Sequence, residues 1–428
     1  STNMGVSHFN YSNVEYSSSV NPGETNINSD PAFIDYVNGD YRLSASSPSL
    51  GTGTSDGAPS VDLVGNARPN PAGSNPDMGA YESELGTRST GNIFYVNTSG
   101  NDRNDGTTNK PFLTIQRGMD RAYNGDTLIV YPGTYTESVD YKKKNVVLAS
   151  RYLTTSDTTY RDSTVINGSV TMSGLDSTAA LIGMTIYKGK VGVSDGSPVL
   201  KRLQIRENKN NGAGLTLSNV EMTIKDLEVK KNDNTSGSAV HGGGVYVNKS
   251  TVSFINAVVD SNTSNYGSGY DGGGLYSEQS HITITRSQFN NNLAQQGGGI
   301  FSNSDSSFTM THSTVARDSS RTTGGGIFFE EPVQLVRLEN VTIDRNSTIL
   351  SSSYSGGGIY ARRTSLHLKG VSVTDNRSSY RGGGVYFYNG QSSTNDIDSL
   401  IVEQSTFNKN FSKVKSISIT IMQFKFGK

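Results

Sequence analysis

GGGLYSEQSHITITRSQFNNN, residues 272–292, is the stretch on which the fold turns. Three glycines are followed by an aliphatic and an aromatic residue, Leu275 and Tyr276. Ile282 and Ile284 then alternate with polar residues, which is the two-residue period of a strand buried on one face. After a step of three, Ser287 and Phe289 resume that period, and the stretch ends on Asn292. A period of two broken by a step of three marks two short strands joined at a bend.

The same order recurs along the chain. Glycine triplets followed by an aliphatic and an aromatic residue start at Gly242, Gly272, Gly297, Gly324, Gly356 and Gly382, with a weaker copy at Gly212-Ala213-Gly214-Leu215. The closing asparagine recurs as Asn208, Asn232, Asn262, Asn292, Asn346, Asn376 and Asn410, and Asp318 fills the one gap. Three residues before each lies Ile205, Val229, Val259, Phe289, Val315, Ile343, Val373 or Phe407. No helix-period segment fits inside a repeat, so a leucine-rich repeat fails, and a propeller blade needs four strands and about 40 residues. The fold class expected is all-β: a right-handed parallel β-helix, with three short strands per coil and about ten coils stacked at roughly 4.8 Å. In such a stack the asparagines form a ladder of side-chain amides bonded from coil to coil, seated in a turn prone to left-handed backbone. The glycines supply a tight corner with φ > 0.

Composition agrees with a solenoid and removes several function classes. Only 33% of the 428 residues are hydrophobic and 18% are charged, while Gly alone contributes 48. The formal net charge of −1 gives no global field for nucleic acid or an anionic membrane. No run of about 18 apolar residues is available to span a membrane, and no signal-peptide pattern opens the chain. The absence of Cys excludes disulfides, thiol catalysis and Cys-bound zinc. With no Trp, any sugar platform is Tyr or Phe.

Three stretches resemble known families. Phe94-Tyr95-Val96, Ser99 to Gly106, Leu113 to Ala122 and Gly125-Asp126-Thr127 through Pro132-Gly133-Thr134-Tyr135 resemble the start of bacterial pectin-lyase-like β-helix proteins. The resemblance implies a capping helix at about 111–123, with Leu113, Ile115, Met119 and Ala122 on the face that covers the open coil end. The glycine triplets and the Phe289–Asn292 and Phe407–Asn410 pairs look like the repeats of polymorphic outer-membrane proteins and related surface adhesins. Residues 1–85 are similar to the other end of such a helix: Asp30-Pro31-Ala32-Phe33, Gly39-Asp40-Tyr41-Arg42-Leu43, Asp62 to Pro69 and Asp77 to Glu82 follow the C-terminal pattern of large secreted surface proteins. The expected organisation is therefore a C-terminal-type segment at 1–85, a linker at 86–93 and a β-helix over 94–428. An ending placed before a beginning suggests a segment of a longer multi-helix chain. Val414, Ile417, Ile419 and Ile421 then begin an incomplete coil with an open edge, which invites end-to-end self-association or continuation of the chain.

Function is sought on the outer face of the coils. After each triplet the aliphatic residue and the one two later face inward, so the aromatic between them faces outward: Tyr246, Tyr276, Phe301, Phe328, Tyr360 and Tyr386. Such a row either holds sugar rings or is a ladder covered by loops. Length varies mainly in the loop after each asparagine, and the long loops carry Tyr266, Tyr270 and Tyr354. The ligand contacts expected are Tyr246, Tyr266, Tyr270, Tyr276, Tyr354 and Tyr360. One outward column places Glu330 beside Arg362 and Glu331 beside Arg363, one coil apart. An acidic group beside a base meets the needs of a polysaccharide lyase, which neutralises a uronate and abstracts its α-proton; a stacked ion pair is the plainer account. The paired Asp and Gly-His-Gly segment of β-helix glycosidases are missing, and the five histidines fall at different offsets, so no metal cluster is expected. Asp102-Arg103-Asn104-Asp105-Gly106 hints at calcium but misses the EF-hand spacing by one. The reading is a non-enzymatic, secreted or cell-surface bacterial β-helix that binds a polysaccharide or cell-surface glycan, as an adhesin does. The alternative is a polysaccharide lyase or glycoside hydrolase acting on an acidic polysaccharide in a loop-lined groove, with Glu330 and Arg362 as its machinery.

Overall fold

A computed structural model describes residues 10–14, 25–89, 91–209, 212–234, 241–264, 271–331, 333, 335–350, 355–388 and 399–414. Contacts divide the chain into two units, Ser1–Ile129 and Val130–Lys428, a division that falls after the expected 86–93 linker.

The second unit is a parallel β-solenoid. The strand after each glycine triplet pairs in parallel with the next: Val245–Asn248, Leu275–Glu278, Ile300–Asn303, Ile327–Glu330, Ile359–Arg362 and Val385–Tyr388 form the first sheet of this region. Thr251–Ile255, His281–Thr285, Ser307–Thr311, Val336–Glu339, Leu366–Lys369 and Leu400–Glu403 form the second. The third sheet, ending in Thr406–Asn408, holds 11 strands, one per coil, so the solenoid makes about ten turns. Registers carry no slip in the first three sheets here, because a slip of one residue would turn every apolar column outward. Ile282, Ile284, Phe289, Val252, Phe254 and Val259 accordingly lie fully inside.

Two details differ from the sequence expectation. A fourth, very short strand follows each ladder position from Asn232 to Asn410, such as Thr263–Ser264 and Ser347–Thr348, and the seven pair into a sheet of their own. Each coil here therefore has four strands, not three. The signal was a small residue two places after the asparagine: Ser264, Ala294, Ser320, Thr348 and Ser378 are all buried. The left-handed residue is also not the ladder asparagine itself. It is the one before, Ser261 at φ 57° and Asn291 at φ 55°, which leaves the ladder side chain pointing inward.

The ladder runs through the core. Asn232 Nδ2 donates to Asn262 Oδ1 at 2.9 Å, Asn262 Nδ2 to Asn292 Oδ1 at 3.0 Å, and Asn346 Nδ2 to Asn376 Oδ1 at 3.0 Å. Each Oδ1 also accepts the backbone N–H of the preceding rung, as Asn232 N to Asn262 Oδ1 at 3.1 Å. The glycines make room for it. Gly272 has φ 71°, and a Cβ on Gly274 would lie 2.5 Å from Gly299 O and 3.0 Å from Asn292 Nδ2.

In the first unit, a helix spans Ile115–Arg121, shorter than the expected 111–123. Thr114 caps it, its Oγ1 accepting from Arg117 N at 3.3 Å. Ile115, Met119 and Ala122 are buried, and Gly118 packs on Leu128 and Val96. Leu113 is 41% exposed, because it precedes the cap and so misses the helical face assigned to it. Phe33–Asp35 and Asp40–Leu43 form an antiparallel hairpin. Among the described residues of the segment before Ser89, the other backbone pairings are single bridges, Asn13 with Ile27 in parallel and Val61 with Ala67 antiparallel. Buried carboxylates tie its loops instead: Asp77 accepts from Gly51 N and Ser83 N, and Glu82 meets Arg68 at 2.7 Å. The tail from 415 onward, where the incomplete coil was expected, lies outside the described residues.

Candidate functional site

The outward aromatics of the first sheet stand in register, Tyr246 beside Tyr276, then Phe301, Phe328, Tyr360 and Tyr386. Ring centroids are 5.7 Å apart for Tyr246–Tyr276, 5.2 Å for Tyr276–Phe301, 4.8 Å for Phe301–Phe328 and 4.7 Å for Phe328–Tyr360. Coil spacing is close to the preferred distance between rings, so each ring packs on the next. Tyr276 is only 3% and Tyr360 only 4% exposed. Of the two readings of this row, the geometry is that of a covered ladder, and Tyr276 and Tyr360 have little ring face left for a ligand. Tyr246 and Tyr388, at the two ends, are partly buried. Tyr266, Tyr270 and Tyr354 lie outside the described residues.

The Tyr246 end of the ladder is polar. Tyr246 Oη donates to Glu278 Oε1 at 2.6 Å and Tyr276 Oη to Glu278 Oε2 at 3.3 Å. Burial and the Glu278 carboxylate both push the Tyr246 phenol above its ordinary range, so it stays protonated as a donor. His241 stacks on Tyr276, with centroids 4.2 Å apart. Burial holds the His241 imidazole below its ordinary value, against the pull of Glu278, which favours the neutral ring. Asp271 sits one coil from His241, its carbonyl accepting Gly242 N at 3.0 Å. Its side chain is 6% exposed, and burial, with Glu330 adding to it, pushes its carboxyl up to about 7. Among the described residues, three buried polar atoms in this cluster have no hydrogen-bond partner: His241 Nδ1, Asn248 Oδ1 and Asp271 Oδ1.

Sequence reasoning passed over His241 and Asp271. The signal was their shared place immediately before a glycine triplet, where each coil carries a polar residue: His241, Asp271, Gln296, Thr323, Ser355 and Arg381. Judging the histidines as one set of five hid the column.

Glu330 and Arg362 are in register and bonded at 2.7 Å, and Glu331 and Arg363 meet at 3.1 Å. Burial pushes the Glu330 carboxyl up, with Arg362 pulling against it. Each partner takes up the other, which is the geometry of a stacked ion pair. Asp305 is a further buried carboxyl, held by Ser277 Oγ, Ser302 Oγ and Ser280 N and pushed up to about 6 by burial.

In the Asp102–Gly106 stretch the carboxylates accept hydrogen bonds from the protein itself. Asp102 accepts from Leu113 N, Thr114 N and Thr114 Oγ1, each at 2.9 Å, and Asp105 accepts from Thr107 N and Oγ1. Among the described residues no group of three His, Asp or Glu is placed to hold a metal. A polar groove of about 590 Å³ crosses the corner between the first two sheets, lined by Asn219, Glu221, Lys249, Gln279 and His281. Neither Phe nor Tyr lines it.

No family model matches the chain. The uncharacterized protein YwoF of Bacillus subtilis (strain 168) is 40% identical over 53 residues, which is 12% of this chain and 11% of that protein's length. Among solved structures, a mannuronan C-5 epimerase A-module from Azotobacter vinelandii aligns with 75% of this chain and 100% of its own, at 12% identity and a TM-score of 0.33. A pectate lyase aligns with 76% of this chain and 79% of its own, at 16% identity and TM-score 0.29. A lacto-N-biosidase from Eubacterium ramulus covers 74% and 67%, at 11% identity and TM-score 0.31. These scores carry no argument about activity. The chain is an all-β parallel β-solenoid, and pectate-lyase-like β-helix proteins are similar to it in winding alone.

Proposed function

We propose that this chain is a glycan-binding segment of an extracellular or cell-surface protein, adhesive rather than catalytic, with its contact site at the Tyr246 end of the aromatic ladder. One observation carries the reading: the unpartnered polar atoms of His241, Asn248 and Asp271 gather around two tyrosines and Glu278. Buried polar groups without partners are costly, and a ligand rich in hydroxyls supplies partners of both kinds. A partly exposed ring beside a carboxylate is the combination that suits a sugar, apolar on its face and polar on its edge.

The test is affinity electrophoresis or calorimetry against neutral and uronate-containing polysaccharides. Tyr246→Ala and Glu278→Gln are expected to weaken binding at least tenfold, while Arg363→Ala, on the neighbouring ion pair, binds as the wild type does. Equal binding by all three variants, or no binding to any polysaccharide, would sink the proposal. A second reading has its own support: burial, with the charge of Glu330 adding to it, pushes the Asp271 carboxyl up to about 7, the range in which a general acid works. Release of reducing ends or of unsaturated product, lost in Asp271→Asn, would replace adhesion with catalysis.

A further inference from the structure

The ladder has one rung that is not an asparagine. Asp318 stands between Asn292 and Asn346 and is fully buried. At the interior asparagine rungs the amide Nδ2 donates twice. It reaches the carbonyl three residues before the previous rung, as Asn262 to Val229 O at 3.0 Å, Asn292 to Val259 O at 3.0 Å and Asn346 to Val315 O at 2.9 Å. It also reaches the next rung's Oδ1.

At Asp318 the accepting half is intact: Oδ1 takes Asn292 N at 2.7 Å and Asn292 Nδ2 at 2.9 Å. The donating half is not. Oδ2 occupies the place of Nδ2, because a Cβ on Gly299 would meet it at 2.6 Å, just as one on Gly244 would meet Asn262 Nδ2 at 2.9 Å. No hydrogen bond reaches Oδ2. By the ladder's repeat, the groups it faces are Phe289 O and Asn346 Oδ1, and Asn346 Oδ1 already accepts Asp318 N at 2.9 Å. Both are acceptors. An ionised carboxylate there would be a buried charge facing lone pairs with no donor, whereas an O–H restores the missing bond.

We propose that Asp318 is a built-in proton site, a neutral carboxylic acid in the folded solenoid that donates through Oδ2 into the ladder and makes the stability of the solenoid fall as pH rises. Burial pushes this carboxyl well above its ordinary value, the bonds from Asn292 oppose the shift, and Asp260 adds to it. On the strands packed against it, Arg317 and Arg345 are exposed, and Arg345 pairs with Asp344 at 2.6 Å, so neither neutralises Asp318. The sign follows. The unfolded chain releases this proton near pH 3.9, whereas the folded chain retains it. Between the two titrations the folded state holds one more proton, and each pH unit raises the unfolding constant about tenfold relative to a protein without the site.

The experiment compares wild type with Asp318→Asn, which restores the ladder's own residue, by urea unfolding from pH 4 to pH 9. The ratio of unfolding constants, wild type over variant, is expected near one at pH 4 and rising by up to about tenfold per unit above it until the folded carboxyl itself titrates. Asp271 and Asp305 titrate in both proteins, so their contributions cancel in the ratio. Infrared difference spectra at neutral pH should show a protonated carboxyl that Asp318→Asn removes. A ratio unchanged between pH 4 and pH 8, or the absence of that band, overturns the proposal.

Discussion

Replacing Asn262 by alanine cuts the ladder in mid-stack. Four side-chain bonds go: Nδ2 to Val229 O and to Asn292 Oδ1, both at 3.0 Å, and the two that Oδ1 accepts, from Asn232 N at 3.1 Å and Asn232 Nδ2 at 2.9 Å. Asn292 Oδ1 keeps Asn262 N, so it is not stranded. Asn232 N and Val229 O lose a side-chain partner inside a fully buried site where water cannot replace it. At about 1–3 kcal/mol for each stranded group, with partial relaxation, the loss is about 3–5 kcal/mol. Asn290→Ala serves as the control, since its amide makes one long, exposed contact to Gln288 at 3.4 Å and its loss should cost under about 0.5 kcal/mol. The assay is urea unfolding followed by circular dichroism and tyrosine fluorescence, together with amide exchange. Coils contact only their neighbours, so exchange should quicken most at Asn232 and the flanking coils. If Asn262→Ala and Asn290→Ala share one midpoint and Asn232 exchanges as before, the ladder is not what holds adjacent coils together.

Three further outcomes follow from contacts already described. Gly274→Ala should cost about 1–3 kcal/mol, because its Cβ would meet Gly299 O at 2.5 Å, whereas Gly192→Ala, with open space around it, should be neutral or slightly stabilising; thermal midpoints compare the two. Arg362→Ala should change stability by less than about 1 kcal/mol, since both partners of the Glu330 pair are partly solvated; a larger loss in chemical denaturation would show a burial that the pair does not have. Asp271 has a folded carboxyl near 7 against an ordinary value near 4, so it binds its proton more tightly when folded and stability falls as pH rises through that window. Asp271→Asn should flatten this part of the pH profile, and an unchanged profile would contradict it.

The solenoid was legible in the sequence because its columns are periodic. Ile282, Ile284, Phe289 and Asn292 occupy the same offsets as Val252, Phe254, Val259 and Asn262, and a stack of coils translates equal offsets into contact. The ladder asparagines, the outward aromatics and the in-register Glu330–Arg362 pair come from the same arithmetic. Offsets alone do not give burial. Whether Tyr276 faces solvent or its neighbours depended on how closely the rings of adjacent coils approach, and at 5.2 Å from Phe301 its face is used up. The fourth short strand escaped notice for a similar reason: two residues are too few to display a period. The family resemblance implied the capping helix and its covered face but not the position of the cap, so Leu113 fell outside the helix that Thr114 begins. The shared place of His241 and Asp271 before a glycine triplet is written in the sequence, but their gathering with Glu278, up to 37 positions away, belongs to tertiary structure, because such residues meet only once the coils are stacked. The consequence of an aspartate in the ladder is of the same kind. The sequence shows that Asp318 replaces an asparagine, and only the packed interior, with acceptors on two sides and no water, turns that one atom into a held proton.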